Sequence, residues 1–219
     1  MENDRVQSHK GLTLVGAGHP SAESIDEALK LAPTLVAADG GADFALAVGL
    51  RPVAVIGDFD SLSEQAKELI DPSCLIEIEE QETTDFEKCL ARIDAPYVLA
   101  VGFSSGRLDH TLGALSVLAR GVGPPTVLVS DTDLAFAVTG QIKLDLEPDT
   151  RVSLFPMAET TGRSEGLDWP INGISFHPAG AIGISNRATG KVTMEFDRPG
   201  MIVILPRAAL DRVLTQLFG

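Results

Sequence analysis

The sequence predicts an α/β fold: an N-terminal, doubly wound, mainly parallel sheet followed by a C-terminal antiparallel β-sandwich. Three observations predict it. Short apolar runs alternate with helical patterns up to about residue 140, helical periodicity then gives way to short strand-like pieces, and acids recur just beyond the ends of the early apolar runs.

Residues 12–15, 34–38, 53–56, 75–78, 97–101 and 126–129 are almost continuously apolar and rich in β-branched side chains. Such runs suit strands covered on both faces, as in a parallel sheet. Residues 22–31, 41–48, 63–70, 85–93 and 109–120 between them have helical spacing. Strand and helix in repeated alternation imply a doubly wound sheet. After residue 140, the pieces 152–155, 174–176, 191–196 and 201–205 are divided by Gly, Pro and Asn, as in a small antiparallel unit. Residues 208–218 close the chain as an amphipathic helix, and a join within 139–149 gives domains at 11–140 and 141–219. The first ten residues are polar and aperiodic and are expected to be disordered.

Composition narrows the function. With 219 residues, 44% hydrophobic and 22% charged, the chain reads as an ordinary soluble protein. The first segment lacks the apolar core of a secretory signal, and no apolar run reaches the roughly 20 residues that span a bilayer. Cys74 and Cys89 lack metal-ligand spacing and read as reduced, half-buried thiols of a cytoplasmic protein. A net charge of −14 argues against a general nucleic-acid binder, since a phosphate backbone needs a basic surface. The same charge opposes nucleotide binding unless the acids are clustered to hold a divalent cation that in turn holds phosphates.

The placement of four aspartates meets that condition. Asp39 in Ala-Ala-Asp-Gly-Gly, Asp58 and Asp60 in Gly-Asp-Phe-Asp-Ser, and Asp85 after Thr84 all follow predicted strands or open the next helix. In an open α/β sheet, ligands bind outside the carboxyl ends of the strands. Acids converging there repel one another without a cation, and hard oxygen donors without His or Cys select Mg²⁺ or Mn²⁺. The alternative is that each Asp merely caps a helix, although Asp58 and Asp60 cannot both cap the same one. Gly40, Gly41 and Gly57 let a ligand approach the backbone. The chain has neither a phosphate-binding loop ending in Gly-Lys-Ser/Thr nor a Gly-x-Gly-x-x-Gly fingerprint. In Gly102-Phe-Ser-Ser-Gly-Arg107-Leu-Asp109-His110, Arg107 can clamp a phosphate, Asp109 can cap the following helix, and His110 can bind a ligand or satisfy a backbone group.

The ordered motifs Ala38-Asp39-Gly40-Gly41-Ala42, Gly57-Asp58-Phe59-Asp60-Ser61, Gln81-x-x-Thr84-Asp85-Phe86-x-Lys88, Gly106-Arg107-Leu108-Asp109-His110 and Gly183-Ile-Ser185-Asn186 resemble the thiamine pyrophosphokinase family. The resemblance spans residues 12 to 205. It implies a nucleotide-binding α/β domain, a β-sandwich and a homodimer with thiamine between subunits. It also implies transfer of a pyrophosphoryl group from ATP to the thiamine hydroxyl, giving thiamine pyrophosphate and AMP. Asp39, Asp58, Asp60 and Asp85 would form the Mg²⁺ and catalytic cluster. Gln81, Thr84, Lys88, Arg107 and Asp109 would contact ATP or shape its pocket. Trp169, the only tryptophan, would stack on thiamine beside Ser185 and Asn186; core packing of the β domain is the alternative for it. Gly183 stands where animal members carry a hydroxyl. Two rivals remain at this stage: a pyrophosphokinase acting on another hydroxymethyl heterocycle such as a pterin, and a non-enzymatic nucleotide or metal sensor.

Overall fold

The computed structural model describes residues 5–219. The elements run β1 (Val6–Gln7), β2 (Leu12–Val15), α1 (Ala22–Leu31), β3 (Thr34–Ala38), α2 (Gly41–Ala47), β4 (Ala54–Gly57), α3 (Glu64–Leu69), β5 (Leu75–Glu77), α4 (Asp85–Leu90), β6 (Ile93–Asp94), β7 (Val98–Val101), α5 (Leu108–Arg120), β8 (Thr126–Val129), β9 (Asp133–Asp145), β10 (Arg151–Pro156), β11 (Thr160–Leu167), β12 (Ser175–Phe176), β13 (Gly183–Pro206) and α6 (Leu210–Phe218). The chain divides into two compact units, with the main break between Asp131 and Thr132. That break lies earlier than 139–149, since β9 continues unbroken through residues 139–145.

In the first unit, β7 pairs in parallel with both β2 and β8, and β4 pairs in parallel with both β3 and β5. A bridge between Leu12 and Pro33 sets β3 beside β2. Chain order therefore runs outward through β3, β4 and β5, then returns across β2 to β7 and β8, so the direction switches between β2 and β3. Every residue of β2, β4, β7 and β8 is buried, which is why these strands read as unbroken apolar runs. Helix starts follow local chemistry: the hydroxyls of Ser21, Ser63 and Thr84 accept from the backbone N–H groups of Ser24, Ala66 and Glu87 and cap α1, α3 and α4. The first ten residues depart from the expected disorder in part. Val6 and Gln7 pair with Ile93 and Asp94, while residues 1–4 lie outside the described residues.

In the second unit, β13 is the organiser. Leu134, Phe136 and Val138 of β9 lie opposite Leu205, Val203 and Met201; after a register shift, Ile142 and Leu144 lie opposite Met194 and Val192. β11 pairs antiparallel on the other side, with Ser164 opposite Met194. β10 pairs with both ends of β13, Val152 facing Asn186 and Leu154 facing Val203. Alternate residues of β9 point inward to this core, the period expected of half-covered strands. Helix α6 is tied to β9 by Gln216, whose Oε1 accepts from the Asp145 N–H at 2.7 Å. Both the parallel α/β part and the antiparallel β part of the expected fold are present.

Candidate functional site

The carboxyl ends of β3 and β4 lie beside the switch point of the sheet, where open α/β sheets form their crevice. Side-chain loss lets the backbone close up there. A Cβ on Gly41 would come within 2.2 Å of the Val15 carbonyl oxygen, and one on Gly57 within 2.8 Å of the Asp39 Cβ. These contacts hold α2 against β2 and bring the turns after β3 and β4 together.

Asp39, Asp58 and Asp60 each present a carboxylate oxygen, and these oxygens lie within 4.8 Å of one another. None of the four predicted aspartates caps a helix. The N-cap positions of α2, α3 and α4 belong to Gly40, Ser63 and Thr84. Asp39 is 3% exposed and sits at φ 42. Its Oδ2 accepts from the Ser61 N–H at 3.1 Å, whereas its Oδ1 is buried without any hydrogen-bond partner. A buried carboxylate oxygen left unpaired is costly. Facing two further acids, it is chemically suited to a hard divalent cation.

Asp58 is the anchored member. Its Oδ2 accepts from Gln81 Nε2 at 2.9 Å and Lys88 Nζ at 3.0 Å, and its Oδ1 accepts from the Asp60 N–H at 3.3 Å. Lys88 also reaches Asp85 Oδ1 at 3.3 Å, so one ammonium bridges two acids. Its side chain is only 2% exposed. The resemblance implied that Lys88 contacts ATP or shapes its pocket; the fold buries it against Asp58 and Asp85, where it supplies positive charge that offsets part of their repulsion. Asp85 stands apart from the group of three and belongs to the Lys88 bridge.

Phe59 separates Asp58 from Asp60 at φ 60, a conformation rare for a bulky residue. Its ring packs on the cluster of Ala37, Ala42, Val55, Leu62, Ala66 and Ile70 under α2 and α3. Asp39, Phe59 and His19 are all left-handed near the carboxyl ends of β2, β3 and β4, the kind of place where backbone strain collects at functional sites.

Proton affinities follow the geometry. Burial raises the Asp39 carboxyl from 3.8 to about 6, with the neighbouring Asp85 and Asp60 adding to it and the Ser61 N–H opposing. Burial likewise raises Asp85, against the pull of Lys88. Asp58 is lowered, chiefly by its hydrogen bond from Lys88. Burial works to lower Lys88, but its bonds to Asp58 and Asp85 prevail and raise it. A carboxyl raised on folding contributes stability that is fully present below its unfolded pKa and lost as pH rises through the folded one. In metal-free protein the stability of the wild type relative to Asp39→Asn should therefore fall as pH rises from 3.8 to about 6. Urea midpoints measured in chelator across that interval test it, and a constant difference would contradict the burial of Asp39.

The other predicted residues divide into local groups. Thr84 is occupied as the α4 cap. Arg107 and Asp109 form a two-pronged pair, Nε to Oδ1 at 3.1 Å and Nη2 to Oδ2 at 2.6 Å, and both are well exposed. Asp109 also accepts from the His110 N–H at 3.0 Å. Their loop rests on the β2 turn, where Gly18 N–H donates to Gly102 O at 2.9 Å, and on α4 through Phe86 and Phe103, whose centroids are 4.5 Å apart. In the second unit, Trp169 is 59% exposed, which removes core packing as its role. Asn186 is bonded to the Trp169 backbone, and Ser185 beside it is exposed. Cys89 is fully buried rather than half-buried, and Cys74 is intermediate. No helix among the described residues is long and apolar enough to cross a membrane. Lys88 and Asn186 were both named from sequence, but the bridge of Lys88 to Asp58 and the bonds of Asn186 to the Trp169 backbone were not. Asp85 and Lys88, three apart on one helix, gave half of the first signal; the other half is tertiary.

An open parallel sheet with three converging acids near its switch point, followed by an antiparallel β unit, defines a doubly wound α/β chain with a candidate cation site. The particular relationship comes from comparison: residues 25–126 match the family model described as thiamin pyrophosphokinase, catalytic domain. A thiamine pyrophosphokinase of Oryza sativa subsp. japonica is 27% identical over 169 residues, covering 67% of this chain and 64% of the relative. One of Bacillus subtilis is 25% identical over 182 residues, covering 77% of this chain and 85% of the relative. The chain spans 58% to 64% of the length of the first two rice relatives and one from Arabidopsis thaliana. Thiamin pyrophosphokinase from Candida albicans superposes with a TM-score of 0.74 at 16% identity over 93% of this chain and 92% of its own. The yeast enzyme gives 0.74 at 18% identity over 97% and 90%. These structures share the fold. The resemblance carried by the five motifs is borne out, and the chain is similar to the thiamine pyrophosphokinases.

Proposed function

We propose that the chain is an ATP:thiamine diphosphotransferase, converting ATP and thiamine to AMP and thiamine pyrophosphate. The observation that carries this reading is the trio Asp39, Asp58 and Asp60 with the unpartnered Asp39 Oδ1, in a segment that matches the family's catalytic domain. In this reading Asp39, Asp58 and Asp60 hold Mg²⁺, with Asp85 completing the acid wall. Bound there, the cation neutralises phosphate charge. Gln81 and Lys88 orient Asp58, Thr84 fixes the start of α4, and Arg107, steered by Asp109, meets the phosphates.

The thiamine hydroxyl oxygen attacks the β-phosphorus of ATP. The bond from that phosphorus to the α,β-bridging oxygen breaks, AMP leaves with the electron pair on that oxygen, and the hydroxyl proton passes to a carboxylate of the cluster. Such transfer depends on positioning and charge compensation more than on covalent chemistry. One aspartate of the cluster takes or orients that proton. The exposed indole of Trp169, with Ser185 beside it, offers a face to the cationic thiamine ring. A homodimer and a cytoplasmic setting, the latter in keeping with two free thiols, complete the reading.

Incubating the protein with ATP, Mg²⁺ and thiamine should yield AMP and thiamine pyrophosphate in equal amounts. ADP in place of AMP would refute pyrophosphoryl transfer, and preference for a hydroxymethylpterin acceptor would transfer the assignment to that substrate.

A further inference from the structure

The Ser185–Asn186 corner splits its two residues between opposite directions. Ser185 is left-handed at φ 64, with its N–H donating to Ser153 Oγ at 3.2 Å. The Ser185 side chain is exposed, and Asn186 is 6% exposed. The buried carboxamide makes three hydrogen bonds. Its Oδ1 accepts from the N–H of Trp169 at 3.2 Å and of Arg187 at 2.8 Å, and its Nδ2 donates to the Trp169 carbonyl at 2.7 Å. One side chain thus binds both main-chain polar groups of Trp169, as a neighbouring strand would. Trp169 needs such support, because it lies on the irregular stretch between β11 and β12, with its indole mostly in solvent.

We infer that Asn186 is a positioning residue for Trp169 rather than a residue that touches the ligand, and that Ser185 is the member of the pair open to it. This rests on the reading of Trp169 as the stacking face for a planar cationic heterocycle. The chemistry requires a carboxamide. Aspartate would offer acceptors only and set a negative charge against the Trp169 carbonyl, while serine or alanine cannot span both groups.

Trp169 is the only tryptophan, so the intrinsic fluorescence of the whole chain reports on its position. The test compares wild type, Asn186→Ala, Asn186→Asp and Ser185→Ala in three measurements: Trp169 anisotropy without ligand, thiamine affinity by fluorescence quenching, and the Michaelis constant for ATP. Asn186→Asp keeps both accepted bonds and guards against a variant that fails to fold. Both Asn186 variants should lower the anisotropy and weaken thiamine binding about tenfold, the scale of one lost buried hydrogen bond. The constant for ATP should not change, and Ser185→Ala should leave the anisotropy as it is. Unchanged anisotropy with lost thiamine affinity would make Asn186 a direct contact and overturn the inference, as would lowered anisotropy with full affinity. Failure of thiamine to quench the wild type would sink the stacking reading instead, a result separable from the anisotropy arm.

Discussion

Asp60→Asn should lower turnover on the order of a thousandfold, comparable to removal of a preorganised electrostatic group from other active sites. The thermal midpoint should change little. Asp60 is exposed, and its side chain accepts from the adjacent Ser61 Oγ at 2.8 Å, so folding depends little on its charge. The substitution leaves the Asp58–Lys88–Asp85 bridge in place and removes one of three converging carboxylates. Direct titration with Mn²⁺ should show weakened binding in parallel with the loss of rate. Near-normal turnover in the variant would remove Asp60 from the cation site.

Lys88→Met should destabilise the first unit clearly. The thioether fills similar space but leaves Asp58 and Asp85 facing each other without their shared ammonium. Removing one partner of a fully buried ion pair costs about 3–5 kcal/mol. Lys88 is 2% exposed but Asp58 and Asp85 are 13% and 35% exposed, so solvent offsets part of that and the loss should be about 1–3 kcal/mol. Urea unfolding in chelator should show the loss. Adding Asp85→Asn should recover part of it, because one of the two stranded charges is gone. A neutral effect of Lys88→Met would mean that solvent already screens the bridge and that the acid wall needs no internal cation.

The parallel half of the fold was legible because burial on both faces leaves a simple trace: β2, β4, β7 and β8 are apolar at nearly every position. The β half was harder for two physical reasons. In β9 the inward Leu134, Phe136 and Val138 alternate with Ala135 and Ala137, so the outward face is apolar too and the period of two is blurred. In β11 the inward residues are Thr160, Ser164 and Leu167, two of them polar, and there is little apolar signal to find. The pieces 191–196 and 201–205 belong to the single strand β13, whose register shift between Phe196 and Met201 looks like a turn in sequence. At the site, the aspartates were visible because each follows a strand end. Lys88 was visible as a residue but not as a partner of Asp58, since that pairing joins α4 to the turn after β4.

Phe59 has an effect beyond the shape of its turn. A glycine would adopt the same backbone without the roughly 1–2 kcal/mol that a left-handed conformation costs an L-residue. It would also leave the Asp58–Asp60 segment with many conformations to lose when a cation draws the carboxylates together. With the ring seated under α2 and α3, much of that freedom is surrendered during folding, once, by the whole domain. The binding step then begins from ligands already ordered. In the proposed reading, cation affinity would thus be set in part by a residue that contributes no ligand atom.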